Sequence, residues 1–209
     1  MIDLRSAIVL FLALVISLTI HEFAHAWMAN RLGDPTPRQA GRLTLNPMVL
    51  FRAHPFGALI VPLMAALQGF LIGWAATPVN PSRVRRSVTL RKAEFLISFA
   101  GPVSNVLLGL LSGVVYAILI RTGTPALEPM IQLTRAMVFA NVILAVLNMI
   151  PIPPLDGFTV LRTAIPTSPA IGFLTQYGTI ILIIFFIYGQ HLFSPFLRLA
   201  GSFLGMLEP

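Results

Sequence analysis

Cysteine is absent from the chain, which excludes disulfides, thiolate metal sites and cysteine nucleophiles. Any bound metal must therefore take its ligands from histidine, aspartate or glutamate. Acidic residues are nearly as scarce. Asp3, Glu22, Asp34, Glu94, Glu128, Asp156 and Glu208 are all there are, against 14 Lys and Arg, and charged residues make up only 10% of 209 positions. A water-soluble surface of this extent needs far more charge. With 56% hydrophobic residues and a mean hydropathy of +0.87, the composition is that of an integral membrane protein. The net charge of +7 does not indicate a nucleic-acid partner, because no basic stripe with interleaved aromatics occurs. The Arg and Lys residues cluster instead at the ends of apolar runs, where they meet lipid phosphates and set orientation.

Among so few ionisable groups, three stand in one short stretch. His21, Glu22 and His25 follow directly on the apolar run 8–20. That run is too short to cross a hydrocarbon core of about 30 Å, which takes about 20 helical residues. A spanning helix must continue through the motif to around Met28 or Asn30. On such a helix His21 and His25 share one face, a turn apart, with Glu22 beside them. Two imidazoles can hold one Zn²⁺ with a carboxylate close to its bound water, which is what H-E-x-x-H accomplishes in metalloproteases. A signal peptide competes as a reading, with Arg5 in the n-region, 8–20 as h-region and small residues near 24–29 as the cleavage site. It leaves a matching ligand elsewhere in the chain unexplained.

The remaining apolar runs set the expected architecture. The stretch GDPTP at 33–37 ends the first helix, and RQAGRLTL at 38–45, followed by Asn46-Pro47, predicts a short strand or hairpin. The run 56–72 contains Gly57, Pro62, Gln68 and Gly69 and suits either a minimal tilted span or a re-entrant loop. Arg31, Arg38, Arg42 and Arg52 precede it, and Arg83, Arg85, Arg86, Arg91 and Lys92 follow it. Both flanks prefer the cytoplasm, which favours re-entry. GWAATPVNP at 73–81 reads as an extended interfacial segment. Runs 93–120, 131–150 and 171–188 read as spans, the first a packing helix kinked at Gly101-Pro102, with a direct chemical role for Asn105 as the competing reading, the second with Asn141 and Asn148 as its polar members. The stretch 191–207 is shorter and suits the interface. The expected fold is an all-α polytopic membrane protein of about five to six membrane segments with a small interfacial β element. It forms one domain over 1–209, with a catalytic core of about 4–165 and C-terminal membrane segments of about 171–207.

The matching ligand lies in NMIPIPPLDGF at 148–158. Pro151, Pro153 and Pro154 stop the preceding helix and leave an extended segment that must be buried in protein or line a cavity. Asp156 then opens the next helical stretch. An isolated Asp there serves as an N-cap, but beside His21 and His25 it becomes a third ligand. A catalytic zinc site takes three protein ligands and one open position, and this set leaves Glu22 free for proton transfer. The other acids sit at span ends or in loops.

The pair HEFAH and NMIPIPPLDGF resembles the site-2 protease family of intramembrane zinc metalloproteases. GRLTLNP, GWAATPVNP and AGPVSN are similar to stretches of its small prokaryotic members, so the resemblance covers most of 8–158. It implies that His21, His25 and Asp156 bind one Zn²⁺, that Glu22 activates the water, and that Asn148 helps hold the substrate or the developing oxyanion. It also implies that residues near 73–79 offer a strand edge to an unwound substrate helix. The sequence departs from the small relatives at Arg52-Ala53-His54-Pro55, where an acid commonly precedes the proline, and His54 reads as a surface histidine. The expected protein is a zinc-dependent endopeptidase of a prokaryotic cell membrane, acting on transmembrane protein substrates with its site open toward the cytoplasm. The rival is a non-proteolytic metal-binding or metal-transport protein, for which Glu22 would be incidental.

Overall fold

The computed structural model describes residues 3–208. Helix α1 (Leu4–Leu32) begins where the Asp3 carboxylate accepts from the Ser6 N–H at 2.9 Å and the Ser6 hydroxyl at 2.8 Å. These donors favour the ionised form and hold the Asp3 carboxyl below its ordinary value. The helix ends at Gly33, whose φ of 108° suits glycine, and the Gly33 and Asp34 N–H groups return to the last carbonyls of the helix. At 29 residues α1 is about 44 Å long, enough to pass through a hydrocarbon core.

Two short helices follow, α2 (Thr36–Gln39) and α3 (Pro47–Ala53), and a π-helical stretch over Pro55–Ile60 runs into α4 (Val61–Ala66). Beyond an irregular segment come α5 (Leu90–Arg121), α6 (Glu128–Asn148), α7 (Asp156–Ala164), α8 (Pro169–Tyr188) and α9 (Ser194–Leu207). The centre is a three-helix core of α1, α5 and α6. Ala13 packs on Ala136 and Ala140, and Leu14 and Leu18 pack with Leu144, so α1 and α6 run parallel. Small side chains at this seam let the backbones approach closely. Helix α5 runs against both, since His25 meets Ile97 while His21 meets Asn105, and Asn105 meets Asn141.

Beside a core of small and aliphatic side chains, polar groups are buried while large apolar ones face outward. Ser17, Thr19, His21, Glu22, His25, Asn105, Ser112, Thr134 and Asn141 are buried, whereas Val106, Leu107, Leu110, Leu111, Val114 and Ile118 of α5 are exposed. Polar groups gathered inside an apolar exterior are what a lipid surrounding selects. Among the described residues four helices are long and apolar enough to cross a membrane: Leu4–Leu32, Leu90–Arg121, Pro125–Asn148 and Pro169–Phe186. The five or six membrane segments expected also took in two shorter apolar runs, and neither of these forms a long helix. Helix α9, at 14 residues, is only about 21 Å long and packs Ala200 and Leu204 against Tyr116 and Val138. The run 56–72 is not one helix but the arm and tip of a hairpin.

That hairpin turns at Gly69, whose φ is 82°, and its irregular return segment lies back against the outgoing arm. The Trp74 N–H donates to the Gly57 carbonyl at 2.9 Å, and His54 Nε2 lies 2.8 Å from the Ala76 carbonyl oxygen. Entry and exit are therefore neighbours, the geometry that the basic flanks favoured. His54 thus tethers the hairpin return through an exposed contact. The all-helical expectation holds, but the β element does not: among the described residues no strand forms. Over 38–45 the backbone groups a ladder would need are spent locally. Helix α2 takes the first part, Gly41 turns at φ 67°, and the Arg42 N–H donates to the Pro37 carbonyl at 2.8 Å.

Candidate metal centre

His21 and His25 sit one turn apart on the buried face of α1, at 3% and 8% exposure. Each ring is held from behind by α5. His21 Nδ1 lies 2.6 Å from Asn105 Oδ1, and His25 Nδ1 lies 2.7 Å from the Ile97 carbonyl oxygen. An oxygen acceptor at Nδ1 places the ring proton there and leaves the Nε2 lone pair free. The two Nε2 atoms face each other at 3.0 Å. Two lone pairs so close repel unless a cation stands with them.

The third group comes from far along the chain. After α6 the prolines at 151, 153 and 154 turn the backbone, and α7 opens on Asp156. Its Oδ2 lies 3.3 Å from His21 Nε2 and 3.2 Å from His25 Nε2, and this oxygen is buried with no hydrogen-bond donor. Asp156 does not cap α7: the cap position is Leu155, and no side chain closes that end. The carboxylate is aimed at the imidazoles instead. Gly157 keeps the turn tight, since a Cβ there would overlap the Met149 carbonyl.

His21, His25 and Asp156 form one group whose ligand atoms can share a metal ion. A tetrahedral centre with bonds of about 2.0–2.1 Å sets its ligands about 3.3 Å apart. The observed edges of 3.0, 3.3 and 3.2 Å match that triangle. The donors also fit zinc, being two imidazoles and one carboxylate with both ring tautomers already set. Backbone closes the site on the α5 side. A Cβ at Gly101 would overlap His25 Nε2 and the Cε1 atoms of both rings. Gly101 is therefore a packing requirement of the two histidines, beside Pro102 inside the continuous α5.

Glu22 is buried but is not one of the three clustered groups. Its Oε2 accepts from the Thr77 hydroxyl at 2.7 Å. Thr77 stands on the return of the hairpin, which is pinned at both sides. On one side is the His54 tether to Ala76; on the other the wholly buried Asp34 accepts from the Thr36 N–H at 2.9 Å and the Asn80 N–H at 2.6 Å. The segment 73–81, expected as an interfacial connector, thus carries the partner of Glu22. The Asn148 carboxamide nitrogen turns back on its own helix and donates to the Leu144 carbonyl at 3.0 Å.

Sequence reasoning missed the support behind His21. Asn105 Nδ2 donates to Asn141 Oδ1 at 2.8 Å, and Asn141 Nδ2 donates to Ser17 Oγ at 2.9 Å. This buried chain ties α1, α5 and α6 together and fixes the way Asn105 presents its oxygen to the histidine. Two asparagines in otherwise apolar spans were the available signal, but nothing in the sequence paired them with each other or with His21.

The chain matches Peptidase family M50 over residues 9–126 and 120–189. It is 33% identical over 199 residues to the protein named "Putative zinc metalloprotease YwhC" of Bacillus subtilis, an alignment covering 90% of this chain and 85% of that one. It is 33% identical over 177 residues to "Putative zinc metalloprotease Rip2" of Mycolicibacterium smegmatis and 31% identical over 180 residues to the Rip2 protein of Mycobacterium tuberculosis. Those two alignments cover 83% of this chain but 64% of each relative, so the chain spans less than two thirds of the Rip2 proteins. No solved structure matches the chain.

Proposed function

Because the chain belongs to peptidase family M50, we propose that it is a zinc endopeptidase of the membrane, cleaving peptide bonds in or near the transmembrane helices of other membrane proteins. The observation that supports this most is the triangle of His21 Nε2, His25 Nε2 and Asp156 Oδ2, with a separate buried carboxylate at Glu22. His21, His25 and Asp156 would hold one Zn²⁺. When bound, the ion would supply Lewis acidity that lowers the pKa of water toward neutrality and polarises a carbonyl.

The chain's own residues do the rest. Asn105 and the Ile97 carbonyl keep the ring protons on Nδ1, so both rings present Nε2. Thr77 fixes Oε2 of Glu22, which leaves the other carboxylate oxygen to take a proton from the attacking water and return it to the leaving amine nitrogen. Asn148, beside the proline run, keeps a second amide N–H with which to hold the substrate or the developing oxyanion. A substrate helix must unwind to expose its scissile amide, and its freed backbone groups need partners in lipid. The hairpin return near 73–79 is a ready edge for such a segment. Four helices long and apolar enough to cross a membrane support a multi-pass membrane protein. The basic residues flanking the hairpin support a site that opens toward the cytoplasm, in a prokaryotic cell membrane.

A transit site for a metal needs to release its ion and has no use for a base held by a dedicated hydroxyl, so the Glu22–Thr77 pair favours hydrolysis over transport. The test is cleavage of a labelled transmembrane peptide by the protein reconstituted in vesicles. Cleavage is expected to stop on chelation and to return when zinc is restored. Zinc flux across the vesicles without cleavage would establish the transport reading instead.

A further inference from the structure

A small cleft opens beside Glu22, lined by Thr19, Glu22, Thr77 and the side chains of Arg42, Thr44 and Asn46 from the loop between α2 and α3. Most of its polar groups are already engaged. The Thr19 hydroxyl donates to the Val15 carbonyl at 2.7 Å, and the Thr77 hydroxyl serves Glu22. Arg42 differs: its Nη1 is buried and has no hydrogen-bond partner. Among the described residues the guanidinium also belongs to no ion pair. A guanidinium cannot shed its charge, so a buried N–H without an acceptor is unfavourable as it stands. Nor is the residue loosely placed, because its own N–H is fixed to the Pro37 carbonyl at 2.8 Å immediately after the turn at Gly41. An orphaned donor on a fixed backbone, in the cleft that holds the proposed base, is free to take an acceptor from outside the chain.

We infer that Arg42 is a substrate-binding residue whose guanidinium donates to backbone carbonyls of the peptide lying beside Glu22. The inference rests on the proteolytic reading above and names the group that receives the unwound substrate. The chemistry of the cleft selects a carbonyl. An acidic substrate side chain would be repelled by the Glu22 carboxylate, whereas an amide oxygen carries no net charge and accepts from Arg without penalty. Unwinding a helix in lipid also strips its carbonyls of their donors, so such acceptors are what the substrate brings. The hairpin return and Arg42 would then hold the peptide from two sides, with Glu22 between them.

The test uses the full chain in vesicles with a transmembrane peptide that the wild type cleaves, comparing Arg42→Met and Arg42→Lys. Arg42→Met is expected to raise KM about tenfold to hundredfold, the range of one charge-assisted hydrogen bond, with kcat changed less and zinc content unchanged. Arg42→Lys, which keeps charge and donors but not the planar fork, should recover part of the loss. In the Glu22→Gln background, which binds without turnover, peptide affinity should fall by the same factor. Wild-type affinity in both variants, a loss confined to kcat, or loss of zinc in both would overturn the assignment. A wild-type protein that neither binds nor cleaves transmembrane peptides would instead remove the proteolytic reading itself, and the inference with it.

Discussion

Replacing Glu22 by Gln should cut peptide cleavage by about 10²–10⁴-fold, the contribution typical of a positioned general base, while the zinc content stays at the wild-type level. The substitution is nearly isosteric, and the Gln side-chain oxygen can still accept from the Thr77 hydroxyl, so the hairpin return keeps its anchor. What is lost is the capacity to take a proton. Glu22 is not among the three grouped ligands, so removing its charge leaves the His21–His25–Asp156 triangle intact. Rate measured beside metal content makes the result specific. Loss of both would make Glu22 a ligand, and retention of both would remove it from the chemistry.

The second large effect is expected at a residue with no side chain. Gly101→Val should lose most bound zinc and with it cleavage, because a Cβ at this position overlaps atoms of both imidazoles. The rings cannot retreat freely. Their Nδ1 atoms are tied to Asn105 and Ile97 on the same helix, so a shift that relieves the overlap breaks a hydrogen bond that sets the tautomer. A displacement of about 1 Å in a catalytic constellation costs about 10²-fold even when the ligands remain. Gly172→Ala is the control, since a Cβ there meets open space, and it should leave zinc and activity unchanged. If Gly101→Val binds zinc as tightly as the Gly172→Ala control, the close packing of α5 on the site is not a requirement of the metal centre.

Much of the site was legible because its chemistry is costly in a membrane. His21, Glu22 and His25 interrupt an apolar run, and Asp156 follows three prolines, so each declares itself against its background. The structure gathers the two histidines and Asp156, as that reading required. Less visible was everything that works by placement. Thr77 looks like a connector residue until the hairpin folds it onto Glu22, and that fold depends on contacts of His54 and Asp34 with backbone groups of residues 76 and 80. Asn105 and Asn141 were visible as polar residues but not as a chain leading to His21. The expected strand at 38–45 failed for a related reason. Partial alternation describes a face but supplies no partner, and here Pro37 and Gly41 close local turns first. The short π-helical stretch at Pro55–Ile60 has no sequence signature at all, since Gly57 and the nearby Pro62 suited a tilted span or a re-entrant loop equally well.

The central claim is that two motifs far apart in the chain hold one ion. Zinc stoichiometry of the detergent-purified protein, wild type beside Asp156→Ala, tests it most directly. About one zinc per wild-type chain is expected, and its loss from Asp156→Ala with helical content preserved. Full zinc retained by Asp156→Ala would contradict the shared site and the proteolytic mechanism built on it.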